Sequence, residues 1–315
     1  MKKILSLFLV LVAVLSLVAC KKDPEPRTYM ADGEYTAYVA HDNDGALQVT
    51  WVTVKIENDE IKSFFIDQLQ SKEGQWNAQT KKELGYKYGM HQYTAGIYTP
   101  LVGADEATIE TYKAWLVEND KLEWFEQANL IETHFLTTLD VTTAEDGTIQ
   151  GISNVTIADN QYIALAKQAV ENAKAGIVNV FKANMYDGAM NLVSASAKIN
   201  AEGKLSEVKI DELQTSEGAW KAQTKQQLGY KYGMHQYTAG IYTPLAGADE
   251  ATIETYKTWL VENNKLEWFQ QVDALAAAWL NGANVSDIKT VSGVTINDSD
   301  YSTVLAALLA EGWSR

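Results

Sequence analysis

The sequence predicts an α+β protein built as two tandem homologous domains. Three observations carry this reading. The block Gly74–Gln127 returns as Gly218–Gln271 at an offset of 144 residues with only eight differences, and within it Gly85–Pro100 recurs as Gly229–Pro244 without a change. Each copy opens on short alternating segments and continues into segments of helical spacing. A length of 315 residues accommodates two domains, and the period far exceeds the roughly 20–50 residues of solenoid repeats. The repeat places the join near Ala175–Gly176, giving domains 31–175 and 176–315.

Residues 1–19 read as an export signal. Lys2-Lys3 is a basic start, Ile4–Val18 a short apolar run, and Leu17-Val18-Ala19-Cys20 a lipobox, where cleavage precedes an acylated cysteine. The run is shorter than the roughly 20 residues a membrane span needs, which predicts removal rather than retention. Cys20 is the only cysteine, so intrachain disulfides and cysteine-based metal or thiol chemistry are excluded. Residues 20–30, with Asp23-Pro24-Glu25-Pro26, form a lipidated tether. Acyl chains on Cys20 would hold the protein at the cell membrane, facing outward. A formal charge of −15 disfavours nucleic acid and anionic headgroups as partners.

In the first copy, Thr36–Ala40, Leu47–Ile56 and Ile61–Leu69 read as strands, the second alternating Leu47, Val49, Trp51 against Gln48 and Thr50. Glu57-Asn58-Asp59-Glu60 turns the second strand into the third. The second copy repeats the pattern from Val178, through Met190–Ile199 and Leu205–Leu213. Helices are expected at Trp76–Leu84, ended by Gly85, at Asp105–Glu118 with Asp105 as N-cap, and at Leu122–Leu139. Terminal helices are expected at Asp159–Lys174 and Asp298–Leu309. Gly85–Ala104, rich in tyrosine and glycine, fits neither helix nor strand, and long loops in compact domains tend to be functional.

The chain carries no catalytic triad, phosphate loop or dinucleotide fingerprint. Of four histidines only His91 and His235 repeat, each without a second metal-binding side chain nearby in sequence. A sharper signal is Ser292-Gly293-Val294-Thr295, matched by Ser153-Asn154-Val155-Thr156, ahead of each terminal helix. A hydroxyl on a small-residue turn beside unpaired helix amides suits a phosphate. The bland reading is a turn whose hydroxyl caps backbone amides.

Taken with Tyr88-Gly89-Met90, Tyr232-Gly233-Met234, Glu123-Trp124-Phe125-Glu126-Gln127 and Glu267-Trp268-Phe269-Gln270-Gln271, these motifs make nearly all of the mature chain resemble the FMN-binding domain family. The resemblance implies an FMN-binding-like fold twice over. It implies that a flavin transferase joins FMN through its phosphate to Thr295 and Thr156. It further implies that the flavin relays electrons from a membrane quinone-linked donor to extracellular acceptors. The chain departs from the family pattern: Gln150 and Lys289 stand where the motif has an acid, Val155 and Val294 where it has alanine, and Asn154 where it has glycine. Asparagine tolerates a left-handed backbone, so that turn is compatible with Asn154.

The functional expectation is a lipid-anchored flavoprotein that carries electrons rather than converting a substrate, and a monomer. Its cofactor-binding residues would be Thr295, Thr156, Ser292, Gly293, Ser153, Asn154, Tyr88, Met90, His91, Tyr232, Met234 and His235. The alternative is a degenerate FMN-binding fold whose Tyr/Gly loops, with Tyr88, His91, Tyr98 and their repeats, bind another ligand or a protein partner. The loops agree completely between copies while the attachment motifs have drifted, which keeps that alternative open.

Overall fold

The computed structural model describes residues 27–43, 45–200, 203–284 and 286–310. The expected export signal, Cys20 and the start of the expected tether lie outside the described residues. Each domain holds a four-stranded antiparallel sheet packed with helices. The strands are β1 (Gly33–Asn43), β2 (Ala46–Glu57), β3 (Glu60–Lys72) and β4 (Gln75–Trp76), then β5 (Ile177–Tyr186), β6 (Ala189–Ile199), β7 (Leu205–Ser216) and β8 (Ala219–Trp220), paired in chain order. Asn58 and Asp59, both left-handed, make the two-residue turn between β2 and β3, and left-handed Asp187 and Gly188 make the turn between β5 and β6.

β2 is not half-buried as read from sequence: at its start Leu47, Gln48, Val49 and Thr50 are all buried, so both faces are covered. Val52, Val54 and Ile56 belong to the main core, so Gln48 and Thr50 share the core face, and both are buried. Leu47, Val49 and Trp51 lie on the other face, where Trp51 meets Phe181 of the second domain at 5.4 Å between rings. The apolar residues there are covered by another part of the chain, which one strand's pattern cannot reveal.

The helices of the first domain are α1 (Lys81–Leu84), α2 (Glu106–Glu118), α3 (Trp124–Phe135) and α4 (Tyr162–Ala175). Those of the second are α5 (Lys225–Leu228), α6 (Glu250–Glu262), α7 (Trp268–Leu280) and α8 (Tyr301–Ala310). The expected helix Trp76–Leu84 is mostly not one: Trp76 pairs with Ser71 in β4, and the helix starts only after Thr80, which forms a capping box with Glu83. Asp105 caps α2 as expected. Glu123 caps α3 through a box with Glu126, shortening the expected helix. The terminal helices begin at Tyr162 and Tyr301, later than expected, with Gln161 rather than Asp159 at the first cap. Asp159 still accepts from the Ile163 N–H at 3.1 Å.

Helix α3 lies over β3, and α4 lies over β1 and β2; α7 and α8 cover the second sheet in the same way. Helix α4 ends on left-handed Gly176 and β5 starts at the next residue, with no linker between. A Cβ on Gly176 would stand 2.7 Å from the Ile199 carbonyl oxygen, so only glycine fits. The two domains share one continuous apolar core. Their seam is reciprocal. Trp76 Nε1 donates to the Asn184 carbonyl at 3.0 Å, and Trp220 Nε1 donates to the His41 carbonyl at 3.2 Å. His41 and Asn184 hold matching sheet positions, opposite Gln48 and Asn191. The two indoles meet at 5.7 Å.

Candidate functional site

One side chain in each domain ties the repeated motifs together. Gln127, on α3, is 1% exposed. Its Oε1 accepts the N–H groups of Thr156 at 2.7 Å and Ile157 at 3.2 Å, and the Thr156 hydroxyl at 3.3 Å. Its Nε2 donates to the Leu122 carbonyl at 3.0 Å and to Met90 Sδ at 3.6 Å. Gln271 repeats every contact: Thr295 N at 2.7 Å, Ile296 N at 3.1 Å, Thr295 Oγ1 at 3.3 Å, Leu266 O at 2.9 Å and Met234 Sδ at 3.3 Å.

This corrects one expectation. The amides beside Thr156 and Thr295 are not free helix amides, because each helix begins several residues later and a glutamine oxygen already holds them. The hydroxyl-bearing turn itself is formed as expected. Thr156, Thr295, Ser153 and Ser292 are exposed, and Asn154 and Gly293 take φ of 64° and 83°. Asparagine thus fills the left-handed position in the first domain and glycine in the second. A Cβ on Gly293 would come within 2.9 Å of Leu266 Cδ1.

A second pair of residues fastens the Tyr/Gly loop. Glu123 is fully buried and accepts from the N–H of Met90 at 3.1 Å, of Trp124 at 2.7 Å, and from the Tyr112 hydroxyl at 2.5 Å. The same Tyr112 oxygen accepts the His91 N–H at 3.0 Å. Glu267 and Tyr256 do the same for Met234 and His235. Burial raises the pKa of both carboxyls above the ordinary glutamate value. Gly89 and Gly233 take φ of 66° and 68° against Leu101 and Leu245. The invariance of the loop therefore has a structural component: its backbone is held by residues that are themselves repeated.

The loop's side chains go four ways. Met90 and Met234 reach the threonine turn through the glutamines. His91 and His235 turn toward Trp115 and Trp259, ring centres 6.3 Å apart in each case. Among the described residues no cluster of His, Asp and Glu is arranged to hold a metal. Tyr88 and Tyr232 lie inward, over a buried lysine: Lys81 Nζ is 4.9 Å from the Tyr88 ring and 5.2 Å from the Trp124 ring, and Lys225 sits likewise at 5.0 and 5.1 Å from Tyr232 and Trp268. Tyr93 and Tyr98 stand outward, 65% and 78% exposed, as a pair 6.4 Å apart, and Tyr237 and Tyr242 repeat them.

Sequence reasoning places Tyr112 only on the apolar face of its helix, cites Gln127 and Gln271 only as part of a motif, and does not reach the lysines or Tyr256. Their identical recurrence was the available signal. Burial of a lysine had none.

No family model matches the chain, and no curated protein matches it. A solution NMR structure of a Clostridium thermocellum protein, a structural-genomics target, is 24% identical over 45% of this chain and 91% of its own length. Its TM-score is 0.27, too low to carry an argument about fold or function. Among the described residues no helix is long and apolar enough to cross a membrane.

Proposed function

We propose that the protein is a surface lipoprotein that carries FMN covalently in one or both of its FMN-binding-like domains and relays electrons from a membrane quinone-linked donor to acceptors outside the cell. The observation that supports this most is the twin turn: an exposed threonine hydroxyl beside a left-handed residue, with its backbone clamped by a buried glutamine, at Thr156 and again at Thr295. The donor set fits a phosphoester tether. The threonine is an exposed residue whose hydroxyl makes one long hydrogen bond, 3.3 Å to the glutamine oxygen, which an attaching enzyme could replace. Gln127 and Gln271 would orient the turn, with Met90 and Met234 on their far side. FMN would supply the redox chemistry, and Cys20 the lipid anchor. Flavin transferase co-expressed with the full chain is the test. In-gel flavin fluorescence should survive denaturation and vanish in the double variant Thr156→Ala, Thr295→Ala. Unmodified peptides at both threonines would sink covalent attachment.

A second reading rests on the outward tyrosines. Tyr93–Tyr98 and Tyr237–Tyr242 are large, exposed and identical in both copies, as expected of a binding module that presents paired aromatic faces to a ligand or partner. In that reading the fold has lost its flavin, and ligand-induced thermal shifts of flavin-free protein depend on those tyrosines.

A further inference from the structure

The buried lysines occupy matching places under identical loops, but they face different partners. In the second domain Lys225 Nζ lies 2.8 Å from Glu212 Oε2, and Glu212 also accepts from the Tyr301 hydroxyl and from Gln214 Nε2. In the first domain the residue matching Glu212 is Gln68, and Lys81 Nζ donates to its Oε1 at 2.6 Å. No carboxylate of the described residues lies within 4.0 Å of Lys81 Nζ. Gln68 Nε2 in turn donates to Thr50 Oγ1 at 2.7 Å, which meets His41 Nε2 at 2.8 Å. The matching second-domain positions hold Val193 and Asn184. Three linked substitutions thus replace a buried ion pair by a neutral chain.

We propose that this exchange makes the first domain's Gly85–Pro100 loop a pH-gated element, looser when Lys81 is charged and tighter when it is neutral, while the second domain's identical loop is held by the Lys225–Glu212 pair. The physical reason is desolvation. A buried ammonium ion without a counterion is costly, and opening α1 and the tight turn Gly85–Tyr88 returns it to water. Burial lowers Lys81 to about 7. It lowers Lys225 too, but Glu212 opposes that shift.

The other charges around Lys81 are accounted for. Asp67 on β3 and Glu123 at the cap of α3 favour the ammonium through space. Asp67 is bonded to the N–H groups of Gln68 and Lys82, and Glu123 to the loop. Lys82, the neighbour on α1, pairs with Glu132 of α3. The Tyr88 ring and, beyond Trp124, the Tyr162 ring of α4 stay neutral, their hydroxyls pushed up by burial. His41 is pushed down by burial, so it is uncharged over the same range.

The sign is fixed by linkage. The closed loop holds a lysine of lowered pKa, and the open loop an ordinary one near 10.5. Opening therefore takes up one proton between about pH 7 and 10, and closing strengthens as pH rises through that window, about tenfold per unit. The two loops have one sequence, so their intrinsic exchange chemistry cancels in a ratio. Amide hydrogen exchange on the full chain, read by NMR or on peptides extended through Lys82-Glu83 and Gln226-Gln227, tests this. From pH 7.5 to 9, protection of loop 85–100 relative to loop 229–244 should rise by about tenfold per unit at most. The rise should disappear in Q68E, which installs the residue the second domain already tolerates, and in Lys81→Met. A ratio that does not change with pH, or one that still rises in both variants, would overturn the proposal. Flavin plays no part in the test, so it stands apart from the proposed electron-carrier role.

Discussion

Gln127 Oε1 lies 2.7 Å from the Thr156 backbone nitrogen, and through this one side chain helix α3 sets the position of a turn 29 residues further on. Gln271 sets Thr295 identically. The amide is a suitable bridge because it offers an acceptor at one end and a donor at the other, and both ends are used in each domain.

Replacing Gln127 by Leu leaves the Thr156 and Ile157 N–H groups without their acceptor in a buried setting. Each orphaned donor costs about 1–3 kcal/mol, so the first domain should melt several degrees earlier in calorimetry. If FMN is attached as proposed, loading at Thr156 should fall while that at Thr295 is unchanged, read by peptide mass.

Glu123 and Glu267 predict an unusual acid response. Burial raises both carboxyls, so the folded protein holds these protons more tightly than the unfolded chain. A raised folded pKa gives stability that is present below the unfolded value near 4.5 and is lost as pH rises through the folded value. As pH rises above about 4.5, denaturant midpoints should therefore fall by more in the wild type than in the pair Glu123→Gln, Glu267→Gln. Equal slopes in both proteins would remove these two groups as the source.

The turn residues predict opposite outcomes at matched places. Gly293→Ala puts a Cβ at left-handed φ and against Leu266, costing about 1–2 kcal/mol. Asn154→Gly leaves a backbone that glycine adopts freely, so stability should move by only a few tenths of a kcal/mol. Urea titration of the two variants separates them.

Much of the architecture was legible in the sequence because it depends on local chemistry. The offset repeat gave two like units, the alternating segments gave consecutive antiparallel strands, and Asp105 marked its helix. Where local patterns failed, a contact distant in sequence decided. Trp76 looked like a helix start, yet it is held as a strand against Ser71, with its indole on the Asn184 carbonyl of the other domain. β2 is covered on both faces rather than one, because Trp51 meets Phe181 of the other domain while Gln48 and Thr50 lie under the core.

The sequence by itself determined the repeat, the single cysteine, three consecutive strands in each domain and the pairs of threonine turns and tyrosine loops. Only the tertiary structure decided that one glutamine per domain joins turn to loop, and that Lys81 is buried opposite Gln68 while Lys225 is buried opposite Glu212. The reason is dielectric and geometric. Whether a lysine costs or contributes free energy depends on what surrounds it, and those surroundings come from β3, α3 and the loop, which meet only when the chain has folded.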